Sequence, residues 1–163
     1  SVNLAAQYFN KDGLVPYIVQ LLSDHQLPAK SLRVEITENA FMLEPKKSVK
    51  TMCALSKLGV KLALDDFGMG FSSLSNLKIL PLDIIKIDRS FVAGIGVNEA
   101  DEAIVDTTLV LAQRLDMQCV AIGVETKEQL AYLVSKNCDY IQGYLYLKPA
   151  PTQDIMETLM MHD

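Results

Sequence analysis

Apolar residues in this chain recur with two different periods. Short β-rich runs occur in SLRVEIT (31–37), VKLALDD (60–66), LDIIKID (82–88), MQCVAIGV (117–124) and CDYIQGYL (138–145), and each reads as a strand. Between them apolar residues recur at helical spacing over about 12–24, 44–58, 101–115, 126–136 and 151–161. Pro45 just inside its helix, Gly59 just past it, and Thr126 followed by Lys-Glu-Gln mark helix ends. Strands separated by helices of this length predict βαβ units, right-handed crossovers and a parallel sheet. Polar groups then fall in a regular place. Asn3, Glu35, Asp65, Lys86 with Asp88, Glu125 and Gln142 each lie at or just past the end of an apolar strand. That pattern predicts a (β/α) barrel, which builds its site at the carboxyl ends of its strands. A doubly wound sheet would gather such groups at one crevice. Counting SVNL at the start as the end of a strand gives six strands. A closed barrel needs eight, so the expected fold is an incomplete TIM-like (β/α)8 barrel without about two N-terminal strands, roughly 70–80 residues. The simpler alternative, an open six-stranded sheet, leaves two edges to be covered.

Composition narrows the possible ligands. The 20 acidic and 15 basic residues give a net charge of -5, without the basic face that DNA or RNA polymers require. A small anionic ligand needs a local arrangement of metal, Lys and Arg. Cys53, Cys119 and Cys138 lack paired metal spacing and sit in apolar patterns. They read as reduced interior thiols in a cytoplasmic protein. No apolar run is long enough to span a bilayer, and SVNLAAQYFN lacks a basic leader, although a longer parent protein could be membrane-attached. The glycines of GIGVN (94–98) read as a loop.

Oxygen-bearing side chains dominate the strand ends. Asn3, Glu35 and Asp65 suit Mg²⁺ or Mn²⁺, and Asp66 could share that ion or hold a second one for phosphodiester displacement. A single strand-end Asp could equally be a helix N-cap. Lys86 reads as an ion-pair partner of Asp65 or Asp88, as a rim lysine, or as a fixed positive charge near an attacked phosphorus. Glu38 could cap the next turn or hold the loop after Asp66. Arg89 reads as a tether for a loop or a phosphate. His25 and His162 have no neighbour that would make them catalytic, and the nucleophilic Cys–His pattern is missing.

SVNLAAQ, RVEITENAF, LALDDFGMGFSSLSNLKILPLDIIKIDRSFV, AIGVETKEQ and IQGYLYLKP together resemble the EAL-domain family of cyclic di-GMP phosphodiesterases. The likeness extends over essentially all 163 residues, and it implies that residues 1–163 are an EAL-domain fragment, its C-terminal six βα units. It implies a modified (β/α)8 barrel that uses Mg²⁺ or Mn²⁺ to linearise cyclic di-GMP to pGpG. It also implies a homodimer, with sensory or diguanylate-cyclase-like domains in a bacterial signalling protein. By position, Asn3, Glu35, Asp65 and Asp66 resemble the family's metal ligands, and Lys86 the lysine near the metal-bound water, with Asp88 as its partner carboxylate. Glu38 resembles the glutamate that steadies the loop after the Asp pair. Glu125 and Gln142 resemble later groups lining the site, and Pro149 a positioning residue near a guanine edge.

Three departures accompany the resemblance. The name-giving Glu-Ala-Leu would lie upstream of Ser1. Ile122 of AIGVE stands where active members carry a glutamate, a proposed base, and isoleucine can neither accept a proton nor hold an ion. Met69 replaces a smaller residue after the Asp pair. General-base help is worth roughly 10²–10⁴ in rate, so Ile122 favours a degenerate domain that binds cyclic di-GMP or a partner protein with little or no hydrolysis. The alternatives are an active Mg- or Mn-dependent phosphodiesterase in the full-length protein and a purely structural or dimerising module.

Overall fold

In the computed structural model, which describes residues 1–69 and 77–160, six strands lie side by side in chain order. The first crossover runs from β1 (Val2–Asn3) through α1 (Ala6–Phe9) and α2 (Leu14–Asp24) to β2 (Arg33–Thr37). The second passes through α3 (Glu38–Leu43) and α4 (Pro45–Leu58) to β3 (Lys61–Phe67). Beyond β4 (Ile84–Ile87), α5 (Arg89–Ala93) and α6 (Glu99–Arg114) lead to β5 (Gln118–Ile122). Next come α7 (Lys127–Ser135), β6 (Tyr140–Gln142) and α8 (Thr152–Met160). All neighbouring strands are parallel, and the sheet order never reverses, as in a barrel wall. Asn3 of β1, Lys86 of β4 and Gln142 of β6 line one cavity, so the sheet is curled. This is an incomplete (β/α)8 barrel, as the strand-end pattern predicts.

The period of two along each strand separates two apolar layers. Val34 and Ile36, Leu62 and Leu64, Ile85 and Ile87, and Cys119 and Ala121 join the main core. That core also holds Met52 and Leu55 of α4, Val105, Leu109 and Ala112 of α6, and Leu133 of α7. The alternate residues Ala63, Ile84 and Val120 form a separate small cluster on the inner face. One residue-pair further along, the same inner rows carry Asp65, Lys86 and Ile122. The inner face is therefore apolar in one thin layer, with polar groups above it at the carboxyl ends of the strands.

Several boundary signals are realised in atoms. Thr126 and Gln129 form a reciprocal capping box at the start of α7, satisfying two otherwise orphaned donors. Pro45 opens α4 and Gly59 ends it. Strands β2, β4, β5 and β6 are shorter than their apolar runs, because the flanking residues enter turns; β6 spans only Tyr140–Gln142 within the expected 138–145, whereas β3 keeps its full seven residues, moved one position on. The helices α1, α3 and α5 were not anticipated, since four to six residues are too few to establish a period of 3.6. Cys119 is buried, but Cys53 and Cys138 are only half-buried, and all three are free thiols. Among the described residues no helix is long and apolar enough to cross a membrane.

Candidate functional site

Lys86 is the centre of the strand-end layer. Its ammonium donates to Glu35 Oε2 and, at 3.3 Å, to Asp65 Oδ2. All three side chains are largely withdrawn from water, with exposures of 6, 7 and 14 % for Lys86, Glu35 and Asp65. The pairing follows from register. Glu35 lies opposite Ala63 on the neighbouring strand, and Ala63 opposite Ile84, so Glu35, Asp65 and Lys86 occupy successive inner rows. Burial alone would raise the Glu35 pKa, but the hydrogen bond from Lys86, with a further one from Ser1, and the Lys86 charge oppose it, and the carboxyl is held below its ordinary value.

The Asp65–Asp66 pair sits on a register irregularity. Leu64 lies opposite Ile85 and Phe67 opposite Ile87, so one strand has an extra residue between the two pairings. Asp66 accommodates it with φ at 55°, as bulges beside functional sites often do. The bulge breaks the inside–outside alternation and leaves Asp66 exposed, next to Asp65 rather than on the opposite face. Partial desolvation, with repulsion from Asp65 and Asp88, raises the Asp66 pKa.

Asp88 is the N-cap of α5. Its Oδ1 accepts from the Ser90 backbone N–H at 2.9 Å and from the Ser90 hydroxyl at 2.6 Å. Desolvation opposes these donors, but they prevail and lower its pKa. Its partner is thus Ser90, whereas Lys86 pairs with Glu35 and Asp65. Beyond the bulge, Gly68 has φ at 100°, and a Cβ there would stand 2.8 Å from the Phe91 ring. The next residue, Met69, is exposed and its sulfur lies 3.6 Å from the Ser90 hydroxyl. Glu38 is buried at the start of α3, and its Oε1 has no hydrogen-bond partner among the described residues. The loop that it was expected to brace falls mainly in 70–76, outside the described residues, as does His162.

These groups converge on a cavity of about 650 Å³ lined by Asn3, Glu38, Asp65, Asp66, Lys86, Asp88, Ile122 and Gln142. Glu35 faces a smaller neighbouring cavity of about 260 Å³ that shares Asn3, Lys86 and Gln142 with it. Glu125 and Pro149 are exposed and line neither cavity. Thr37 and Asn39 also line the larger cavity and Arg33 the smaller one. Arg33 could have been found by stepping back two residues from Glu35 on the same strand face. Thr37 and Asn39 carry no such signal, because α3 starts immediately after β2.

The oxygen donors are of the types that Mg²⁺ and Mn²⁺ prefer, but their arrangement is not a chelating one. Among the described residues no group of three or more His, Cys, Asp or Glu side chains is placed to hold a metal ion. The Lys86 ammonium occupies the carboxylates of Glu35 and Asp65, and Ile122 contributes no oxygen to the cavity wall. As arranged, the residues do not fit a divalent ion.

A curled parallel sheet with an acidic, lysine-centred cavity at its carboxyl edge defines a (β/α)-barrel protein with its site at the barrel mouth. Residues 1–149 match the EAL domain family model, and the chain belongs to that family. It is 39 % identical over 159 residues to the cyclic di-GMP phosphodiesterase NbdA of Pseudomonas aeruginosa, covering 98 % of this chain and 20 % of that protein. It superimposes on the PaMucR phosphodiesterase in its c-di-GMP complex with a TM-score of 0.91 and 38 % identity, covering 94 % of this chain and 62 % of that one. The EAL domain of Mycobacterium smegmatis DcpA matches with a TM-score of 0.91 and 37 % identity, covering 98 % and 71 %. The chain thus spans about a fifth of the curated relatives' length.

Proposed function

We propose that this chain is a degenerate EAL domain that binds cyclic di-GMP and hydrolyses it little or not at all. The observation that carries this reading is Ile122 in the wall of the cavity that also holds Lys86, Asp65 and Asp66. Isoleucine can neither take a proton from water nor hold an ion, and general-base assistance is worth roughly 10²–10⁴ in rate. Binding draws on other groups. The amides of Asn3, Asn39 and Gln142 supply donors and acceptors for a base or ribose, and the cavity volume of about 650 Å³ falls in the range of small-ligand sites. The relatives named as phosphodiesterases, one of them solved with c-di-GMP, support the choice of ligand.

The second reading is an active Mg²⁺- or Mn²⁺-dependent phosphodiesterase in a longer protein. It is favoured by the presence together of Asn3, Glu35, Asp65, Asp66 and Lys86 at the barrel mouth. In either reading the domain acts in the cytoplasm as a homodimer, alongside sensory or diguanylate-cyclase-like domains. The deciding experiment combines calorimetric titration of cyclic di-GMP into the full-length protein with a pGpG assay in Mg²⁺ or Mn²⁺. Both are repeated on Ile122→Glu. Binding without turnover, and turnover gained on substitution, is the expected result. Rapid pGpG formation by the unsubstituted protein selects the enzyme, and no binding in any buffer overturns both readings.

A further inference from the structure

Arg89 opens α5 and lines the cavity beside Ile122. Its position is set from the neighbouring strand end. Gly123, directly after Ile122, has φ at 80°, and a Cβ there would stand 2.7 Å from Arg89 Cβ. Only glycine tolerates both that backbone angle and that approach. The Arg89 stem is therefore packed against the end of β5, one residue from Ile122.

Among the described residues the cavity wall carries two cations, Lys86 and Arg89. Lys86 is engaged by Glu35 and Asp65. Arg89 makes no ion pair among the described residues. Its chain neighbour Asp88 accepts from Ser90 through Oδ1, and Asp66 and Asp88 both feel the Arg89 charge without closing an ion pair to it. A carboxylate at position 122, one residue from the glycine on which Arg89 packs, would be the natural partner for the guanidinium. Isoleucine leaves that guanidinium without an ion-pair partner among the described residues, at the mouth of the cavity. A free guanidinium presents a planar fork of donors that matches two oxygens of a phosphate.

We propose that Arg89 is a phosphate anchor of this site, kept available by the isoleucine at position 122. The ligand class is a phosphodiester or pyrophosphate anion, and the assignment of cyclic di-GMP as its natural form rests on the function proposed above. The anchor supplies a local positive charge in a cavity whose carboxylates outnumber its cations and where Lys86 is already paired. The same side chain explains a use for Ile122 beyond the loss of a base.

The test uses the full chain. Cyclic di-GMP is titrated into the unsubstituted protein and into Arg89→Ala, Arg89→Lys, Ile122→Glu and Ile122→Gln. Loss of a hydrogen bond to a charged group predicts about ten- to hundredfold weaker binding for Arg89→Ala. Arg89→Lys recovers part of it, since the charge is kept and the fork is lost. Ile122→Glu weakens binding by engaging the guanidinium, whereas the uncharged Ile122→Gln does so far less. Equal affinity of Arg89→Ala and the unsubstituted protein overturns the anchor while leaving cyclic di-GMP binding intact. In parallel, sodium pyrophosphate is titrated while the Nε–H resonances of the arginines Arg33, Arg89 and Arg114 are followed by ¹⁵N NMR. A saturable shift of the Arg89 signal supports the anchor even if cyclic di-GMP itself fails to bind. An unmoved Arg89 signal overturns it.

Discussion

Replacing Lys86 by methionine tests whether one ammonium holds the strand-end layer together. The substitution keeps the length and apolar bulk of the stem and removes only the charge. Glu35, at 7 % exposure, would then be a buried carboxylate without its partner. Breaking a buried pair in this way costs about 3–5 kcal/mol. The cost has a ceiling, because the carboxyl can take up a proton instead. With an ordinary value of 4.5 for Glu35, the linkage slope of about 1.4 kcal/mol per pH unit limits the loss to about 4 kcal/mol near pH 7.5 and about 1.4 kcal/mol near pH 5.5. The sign is the reverse of that in the unsubstituted protein. There the folded Glu35 pKa is lowered, and its contribution is lost as pH falls. In Lys86→Met it is raised, and stability is regained as pH falls. At about 2–4 °C per kcal/mol for a domain of this size, the near-neutral melting temperature should drop by about 8–16 °C. Urea unfolding at both pH values, with Glu35→Gln/Lys86→Met alongside, measures this. The double variant should recover most of the loss, because no buried charge remains. A Lys86→Met protein as stable as its parent near pH 7.5, or a loss that does not shrink on acidification, would refute the reasoning.

Ser48→Ala removes a buried hydroxyl that donates toward Asn10 Oδ1 at 3.0 Å and the Phe41 carbonyl at 3.2 Å. Leaving the buried Asn10 acceptor unmatched should cost about 1–3 kcal/mol in denaturant unfolding, whereas a loss under about 0.3 kcal/mol would contradict the bond. Stability of the unsubstituted protein should fall on acidification, because the lowered pKa values of Glu35 and Asp88 mean that the unfolded chain takes up their protons first. Asp66, with its raised pKa, opposes this trend. Glu35→Gln/Asp88→Asn should therefore flatten the acid limb of a stability–pH curve measured by thermal denaturation, and an unchanged limb would count against both assignments.

Local patterns were sufficient for much of the architecture. A strand declares itself in a few residues of β-rich apolar sequence, and a long helix in several turns of spaced apolar positions. This is why the six parallel strands and the five longer helices were legible. Caps were legible too, because Thr126 and Gln129 meet within one turn and need no distant partner. Strand ends then located Asn3, Glu35, Asp65, Lys86 and Gln142, since the residue after an apolar run is where a parallel strand meets solvent.

Three features depended on groups far apart in the chain, and sequence spacing does not encode them. Lys86 had several acidic neighbours to choose from. The curvature and register of the sheet brought Glu35, 51 residues away, to it and left Asp88 to cap a helix. The extra residue at Asp66 is a matter of how β3 meets β4, so the direction of that carboxylate followed from pairing rather than composition. Arg89 reads from the sequence as a tether for either a loop or a phosphate, and only the approach of Gly123 places its stem at the end of β5, beside the cavity. The sequence by itself determined the strands, the longer helices and most of the residue types at the barrel mouth, because propensity and periodicity are local. The short helices α1, α3 and α5 and the positions of Glu125 and Pro149 outside the cavities were not encoded locally. Only the tertiary structure decided which of those charges are spent on one another and which remain for a ligand, because ion pairing depends on distance and burial in three dimensions.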